Sequence, residues 1–288
     1  MMCGAPRVSP LPPLERLSRG SLAPIRGGGW AFRAFGSCRV AAGVSDRRTE
    51  PAALLARLVP EGPWVEAEQV HGGSVAVIER AQTGIVPGCD ALLTRLPGVA
   101  LLVRTADCLP ILFADPRRDV VGIAHAGWRG LLAGLPGRVV SAFRHAYGSR
   151  PDELRVAIGP AIRSCCYEVG ADVAARFGRF AQGSGARWRC DLIGAAVAEL
   201  RTCGIRPERL LDSGACTACE GGRWFSLRRD GPATGRLVSY IMLGRATGVT
   251  GDPSTRAPAV AGGPRSPRAE RGTRREAGFR RRHVTRRS

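Results

Sequence analysis

Residues 99–130, VALLVRTADCLPILFADPRRDVVGIAHAGWRG, constrain this chain more than any other stretch. Two apolar runs, 99–103 and 120–124, are short, rich in Val, Leu and Ile, and bounded by turn formers, the pattern of buried strands. Each delivers a reactive side chain beyond its end: Cys108 after the first and His125 after the second. Asp115-Pro116 between them is a turn signal. A chain that doubles back there presents a thiol and an imidazole side by side at one edge of a sheet.

The partners available to that pair are few. The chain has four His. His283 falls in the C-terminal tail, and His145 sits near the end of a helix-like segment among Arg and Tyr, where a solvated or capping role is expected. His71 remains. Like His125 it follows a strand-like run, and both precede small residues, Gly72-Gly73 and Ala126-Gly127, that let a ligand or a backbone come close. Two imidazoles and a thiolate make a three-ligand zinc set with an open fourth position, where the metal lowers the pKa of a water toward about 7. The separations, 37 residues from His71 to Cys108 and 17 from Cys108 to His125, match no compact finger. The same residues are compatible with hydrogen-bonded core histidines beside a small buried thiol, and with a metal-free Cys108–His125 nucleophile pair.

Charge says less than its size suggests. The net charge of the 288 residues is +19, but every basic residue is Arg and none is Lys, a compositional habit rather than a sign of a partner. Residues 245–288 hold twelve Arg against three acids, so +9 of the +19 lies in a tail almost without large apolar residues. Such a segment cannot offset its ordering entropy. The expected organisation is a disordered segment at 1–25, one catalytic domain at 26–244 and a disordered tail at 245–288. Non-specific nucleic-acid contact by the tail is the lesser reading beside a plain unstructured extension. No apolar export core opens the sequence and no run of about 18 apolar residues occurs, so the expectation is a cytoplasmic protein with no membrane contact and reduced thiols. Of the ten Cys, Cys216 and Cys219 form a C-x-x-C with no second one to match it. Cys165-Cys166 is a vicinal pair that does not chelate in the same way, so buried or loop thiols are the main expectation, with a redox or second zinc site as the lesser reading.

Periodicity places helices at 50–58, 130–146, 171–180 and 191–203. Strands are expected at 30–35, 65–68, 75–79, 89–94, 155–158, 209–211, 224–227 and 237–243. The class is α/β.

Six blocks occur in order: QVHG (69–72), DALLT (90–94), TADCLPILF (105–113), AHAGWRG (124–130), AIGPAIRSCCYEVG (157–170) and SLRRDGPATGR (226–236). In these the chain resembles the laccase-domain family of bacterial purine nucleoside phosphorylases, long described as polyphenol oxidases or multicopper oxidases. The resemblance implies a layered sandwich of mixed β-sheets covered by helices, akin to the cysteine-hydrolase-like fold of certain toxins. It implies zinc held by His71, Cys108 and His125. It also implies phosphorolysis of adenosine, inosine, guanosine and S-methyl-5'-thioadenosine, with adenosine deamination as a further activity. Phosphate calls for planar donors; Arg129, after a Gly-Trp turn, is the first candidate, and Arg104 and Arg228 are weaker ones. The family's opening TRxGGVS-type block is represented only by FRAFGSCRVAAGVSDRR (32–48), and its Asn-Leu element has no counterpart. Two other readings use the same Cys/His centre: a copper-dependent polyphenol oxidase, against which four His are too few for several copper sites, and a peptidoglycan-precursor quality-control hydrolase.

Overall fold

Strands buried on both faces read as continuous apolar runs instead of alternating ones, and the central strands of this protein are of that kind. The computed structural model describes residues 22–26, 28–35, 39–60 and 62–244. Its strands are β1 (Leu22–Pro24), β2 (Trp30–Phe32), β3 (Val40–Val44), β4 (Trp64–Ala67), β5 (Val75–Ile78), β6 (Gly84–Val86), β7 (Ala91–Thr94), β8 (Ala100–Thr105), β9 (Leu109–Asp115), β10 (Val120–Ala126), β11 (Arg155–Ile158), β12 (Glu168–Val169), β13 (Ala181–Ser184), β14 (Arg187–Cys190), β15 (Leu210–Asp212) and β16 (Leu237–Leu243). Its helices are α1 (Pro51–Leu58), α2 (Trp128–Leu132), α3 (Leu135–Tyr147), α4 (Ala171–Phe177), α5 (Leu192–Thr202) and α6 (Leu227–Asp230).

Two mixed sheets stack. The first runs β1-β2-β3-β16-β8-β4-β6 and the second β15-β11-β9-β10-β7-β5; β12, β14 and β13 form a small third sheet. Side chains of opposite parity sort the layers. Leu101 and Val103 of β8 meet Leu112 and Ala114 of β9 and Val121 and Ile123 of β10 between the sheets. Ala100 and Leu102 face the other way, onto Leu54 of α1. Ile111 and Phe113 of β9 pack with Val139 and Phe143 of α3 and Leu200 of α5 on the far side of the second sheet. The order is therefore α1, sheet, sheet, α3 with α5: the layered α/β sandwich expected from the sequence.

Local signals account for the helix ends. Glu50 caps α1 by accepting from the Ala53 N–H at 2.7 Å, and Pro51 occupies its first position. Asp191 accepts from the Gly194 N–H to start α5. The helix expected at 130–146 is two helices, α2 and α3, because Gly134 adopts φ 71° between them, a conformation that favours glycine.

Other departures are instructive. The expected strand 99–103 is β8, but it belongs to the first sheet; the chain crosses to the second sheet between Thr105 and Leu109. Cys108 thus introduces β9, a strand the sequence reading passed over because Pro110 argues against a strand interior. Pro110 is tolerated as the second residue of β9, opposite His125. No strand forms at 224–227: Trp224 is buried and donates to Glu220, and Ser226 caps the short α6. At the N-terminal side, β1 lies within the segment 1–25 expected to be disordered, since Leu22, Ala23 and Pro24 pair with β2; residues 1–21 lie outside the described residues. The tail 245–288, with His283, lies outside them as well. Among the described residues no helix is long and apolar enough to cross a membrane.

Candidate metal centre

Strand order puts the reactive side chains together. In the second sheet β10 runs antiparallel to both β9 and β7, and β5 is parallel to β7. The end of β10 therefore lies at the same sheet edge as the starts of β9, β7 and β5. That edge carries His125 near the end of β10, Cys108 just before β9, Asp90 just before β7, and His71 in the loop that enters β5. One donor atom each of His71, Cys108 and His125 lies within 4.8 Å of the others. The two imidazoles meet edge to face at 4.8 Å between ring centroids, at 86°. His125 is buried, Cys108 half-buried and His71 exposed, so the site opens outward past His71.

Asp90, fully buried, organises this edge. Its Oδ1 lies 3.0 Å from His125 Nδ1 and accepts from the His71 backbone N–H at 2.9 Å, while Oδ2 accepts from the Gly72 N–H at 2.7 Å. A carboxylate at Nδ1 holds the proton there and leaves Nε2 as the free donor, the usual support of a ligating histidine. In the sequence Asp90 opens the DALLT block with no role of its own, and the signal that marks it is an acid directly before the apolar run 91–93.

The loop that brings in His71 is held in left-handed backbone, with φ 67° at Gln69 and 60° at His71. Each such non-glycine residue costs about 1–3 kcal/mol, and hydrogen bonds hold both in place. The Gln69 N–H donates to the Cys89 carbonyl at 2.9 Å. Its side chain pairs with the backbone of Arg104, Nε2 donating to the carbonyl at 2.6 Å and Oε1 accepting from the N–H at 2.7 Å. A third strained residue, Asp107 at φ 95°, precedes Cys108. Its carboxylate accepts from Thr217 Oγ1 at 2.6 Å and from the Arg228 N–H at 2.7 Å, so it ties loops together. Gly127 keeps the site open: a Cβ there would lie 3.0 Å from Cys108 Sγ and 3.4 Å from His71 Cδ2.

These contacts set the charges. Burial pushes the Cys108 thiol up, but hydrogen bonds from His125 and His71 outweigh it and bring its pKa down to about 7. Burial pushes His125 down, yet Asp90 and Cys108 raise it to about 9. Without a cation these contacts favour the thiolate of Cys108 and the imidazolium of His125. Two nitrogens and a thiolate sulfur, with one nitrogen already oriented by a carboxylate, fit a borderline-soft divalent metal with a position left open.

The arginines divide. Arg129 is exposed, stacks its guanidinium 4.4 Å above the Trp128 ring, and pairs with no carboxylate among the described residues. Arg104 is bound through Nε to Glu66 at 2.6 Å. Arg228 donates to the Glu168 carbonyl and lies 5.2 Å over the Tyr167 ring. It borders a cleft of about 530 Å³ with Cys166, Glu168 and Arg189, which His71, Cys108 and His125 do not line. His145 bonds back to Ser141 at the exposed end of α3, as its position suggests. The four thiols, expected chiefly as buried or loop residues, are gathered: Cys165, Cys166, Cys216 and Cys219 have all sulfurs within 4.8 Å of one another. The eight cysteines among the described residues are all free.

The family model of the multi-copper polyphenol oxidoreductase laccase matches residues 22–244. The chain is 34% identical over 236 residues to purine nucleoside phosphorylase YlmD of Geobacillus stearothermophilus, covering 74% of this chain and 86% of that one. It is 38% identical over 214 residues to a purine nucleoside phosphorylase of Deinococcus radiodurans (73% and 81%). It is 33% identical over 194 residues to adenosine deaminase RL5 of an unknown prokaryote (62% and 74%). The crystal structure of YlmD from Geobacillus stearothermophilus superimposes with a TM-score of 0.74 at 28% identity, covering 78% of this chain and 99% of that one. With the ordered blocks, the fold and the Cys/His cluster in agreement, this chain belongs to the laccase-domain family.

Proposed function

We propose that this protein is a zinc-dependent purine nucleoside phosphorylase of the cytoplasm. It cleaves adenosine, inosine, guanosine and S-methyl-5'-thioadenosine with phosphate to the free base and the corresponding ribose 1-phosphate, and it also deaminates adenosine. The observation that carries the reading is the convergence of His71, Cys108 and His125 within 4.8 Å beside a carboxylate already bonded to one of them. Support comes from relatives that bear these activities in their names. When bound, the metal supplies a Lewis acid and lowers the pKa of a water.

The chain's own residues have distinct tasks. Asp90 Oδ1 keeps the proton on His125 Nδ1, so Nε2 presents its lone pair. Cys108 contributes a thiolate, and binding a cation in place of the His125 proton releases that proton. Gly127 keeps the space beside Cys108 and His71 free of a side chain. Arg129 offers planar donors to phosphate, its stem fixed by the Trp128 ring. Copper oxidase chemistry is the weaker reading because four His in the chain are too few for several copper sites.

Metal analysis of the purified protein together with chromatography of adenosine incubations tests this. Adenine that forms only when phosphate is present, with zinc in the protein, is the expected result. Stoichiometric copper without zinc, and no nucleoside turnover, would overturn it.

A further inference from the structure

A second constellation lies apart from the His71, Cys108 and His125 donors, and nothing in the proposed reaction uses it. Strands β11 and β15 are parallel neighbours in the second sheet and leave it at the same end. Their pairing continues as an isolated parallel bridge between Ala161 and Cys216, and the Thr217 N–H donates to the Ala161 carbonyl at 3.1 Å. Beyond the bridge both chains turn. The N–H groups of Cys166 and Tyr167 both donate to the Arg163 carbonyl, at 2.9 and 2.8 Å. This turn brings the sulfurs of the adjacent Cys165 and Cys166 to the same side, 3.7 Å apart, where an extended strand would point them to opposite faces. On the other chain the Glu220 N–H donates to the Cys216 carbonyl at 3.0 Å, folding the C-x-x-C into a knuckle. Arg163 anchors the base of the assembly with two bonds to Asp212, at 3.0 and 2.6 Å.

The resulting sulfur separations are diagnostic. Cys165 lies 3.6 Å from Cys216 and 3.5 Å from Cys219, and Cys166 lies 3.3 Å from Cys219. A disulfide holds its sulfurs about 2.05 Å apart, so these are not bonded pairs. A tetrahedral zinc with Zn–S of about 2.3 Å sets its sulfurs about 3.8 Å apart. Four of the six sulfur separations thus already stand near the edge length of one ion's coordination shell, and all four sulfurs lie within 4.8 Å of one another. A four-iron cluster, whose cysteines bind different irons, needs a wider frame. Cys165 and Cys219 are exposed while Cys216 is buried, so an ion can enter from solvent and be closed in from below. Arg189 bonds the Cys165 carbonyl and Arg229 bonds the carbonyls of Thr217 and Ala218, placing cations around a centre that would carry net negative charge.

We propose that Cys165, Cys166, Cys216 and Cys219 together hold one zinc ion in a closed four-thiolate site that clamps the segment after β11 to the segment after β15. With four protein ligands and no open position the site is structural. Its reach extends to the first centre. Thr217, inside the C-x-x-C, donates to Asp107, and Asp107 accepts in turn beside Cys108 while its carbonyl receives the Ile162 N–H. A metal in the knuckle fixes the residue that precedes the Cys108 thiolate.

The test uses the full chain, purified from zinc-supplemented cells under a thiol reductant. The variant His71→Ala/Cys108→Ser removes two of the three donors of the first set, so the outcome is independent of the proposed activity. That variant is expected to retain one zinc per chain. With cobalt in place of zinc it is expected to give the intense sulfur-to-metal charge-transfer band of a tetrahedral four-thiolate site. Adding Cys165→Ser and Cys219→Ser should abolish both. No zinc and no such band in the His71→Ala/Cys108→Ser protein would overturn the proposal, as would metal binding unaffected by the added serines. Should the serine variants fail to fold, the cobalt spectrum of the His71→Ala/Cys108→Ser protein decides alone. Mass spectrometry finding these four cysteines paired as disulfides in freshly prepared wild-type protein would also overturn it.

Discussion

The two cysteine-bearing centres lie at the same end of one sheet and are built by opposite means. Around Cys108 the backbone is forced: Gln69, His71 and Asp107 all have positive φ. A buried carboxylate holds three donors of that loop and strand at once. The set is three donors with an open side, and left-handed backbone costs stability wherever it is held. Around Cys165 and Cys216 no non-glycine residue is in left-handed backbone. Ordinary turns and one β-bridge bring four sulfurs to contact. The contrast is that of a site kept open for chemistry and a site closed for stability.

The comparison is tested most severely at Cys108 and His125. Replacing either with Ala should reduce nucleoside turnover to background and remove the metal of that centre, read by elemental analysis and product chromatography, while a thermal melt stays cooperative. Retained turnover in Cys108→Ala would break the assignment. Next comes Asp90→Asn, which keeps shape but loses the charge that holds His125. Support residues of this kind cost about 10–100-fold in metal affinity or activity, and a metal titration of the variant measures it. The Cys165→Ser/Cys219→Ser protein should differ in kind, with a lower melting temperature, about 2–4 °C for each kcal/mol lost, and an intact His71/Cys108/His125 metal signal. Gly127→Ala should weaken metal binding about tenfold, some 1.4 kcal/mol, because its Cβ would press on Cys108 Sγ at 3.0 Å. The smallest effect is expected at Arg129→Ala, seen as a raised KM for phosphate with kcat little changed.

The pH response of the open centre follows from its charges. In protein stripped of metal, Cys108 should alkylate with a midpoint near pH 7, since its thiol is brought down to about 7, against about 8.5 for an ordinary cysteine. The group is depressed, so reactivity is present above that midpoint and lost as pH falls through it. Iodoacetamide labelling followed by peptide mass analysis checks this, and a midpoint of 8.5 or higher would show that the imidazoles do not support the thiolate.

Much of the first centre was legible because its signals are local. The apolar runs, the small residues after His71 and His125, and the Asp-Pro turn stand in the sequence, and the six ordered blocks carried the family resemblance. The helices at 50–58 and 191–203 were readable for the same reason. Asp90 was passed over because its role lies in contacts to residues 18 and 35 positions away, made only when β7, β10 and the His71 loop share an edge. Pro110 hides the strand β9, and the assignment of 99–103 and 120–124 to different sheets cannot be read from two apolar runs that look alike.

What the sequence indicated by itself was the α/β class, the order of its chemical blocks, and His71, Cys108 and His125 as candidates that the family resemblance marks as a metal set. Periodicity and residue types act over a few positions, and alone they left that set beside a core reading and a metal-free nucleophile pair. Only the tertiary structure decided that Asp90 would hold His125, and that a vicinal pair and a lone C-x-x-C, 51 residues apart from Cys165 to Cys216, would meet. The reason is the parallel pairing of β11 with β15, a long-range contact whose partner no local pattern names.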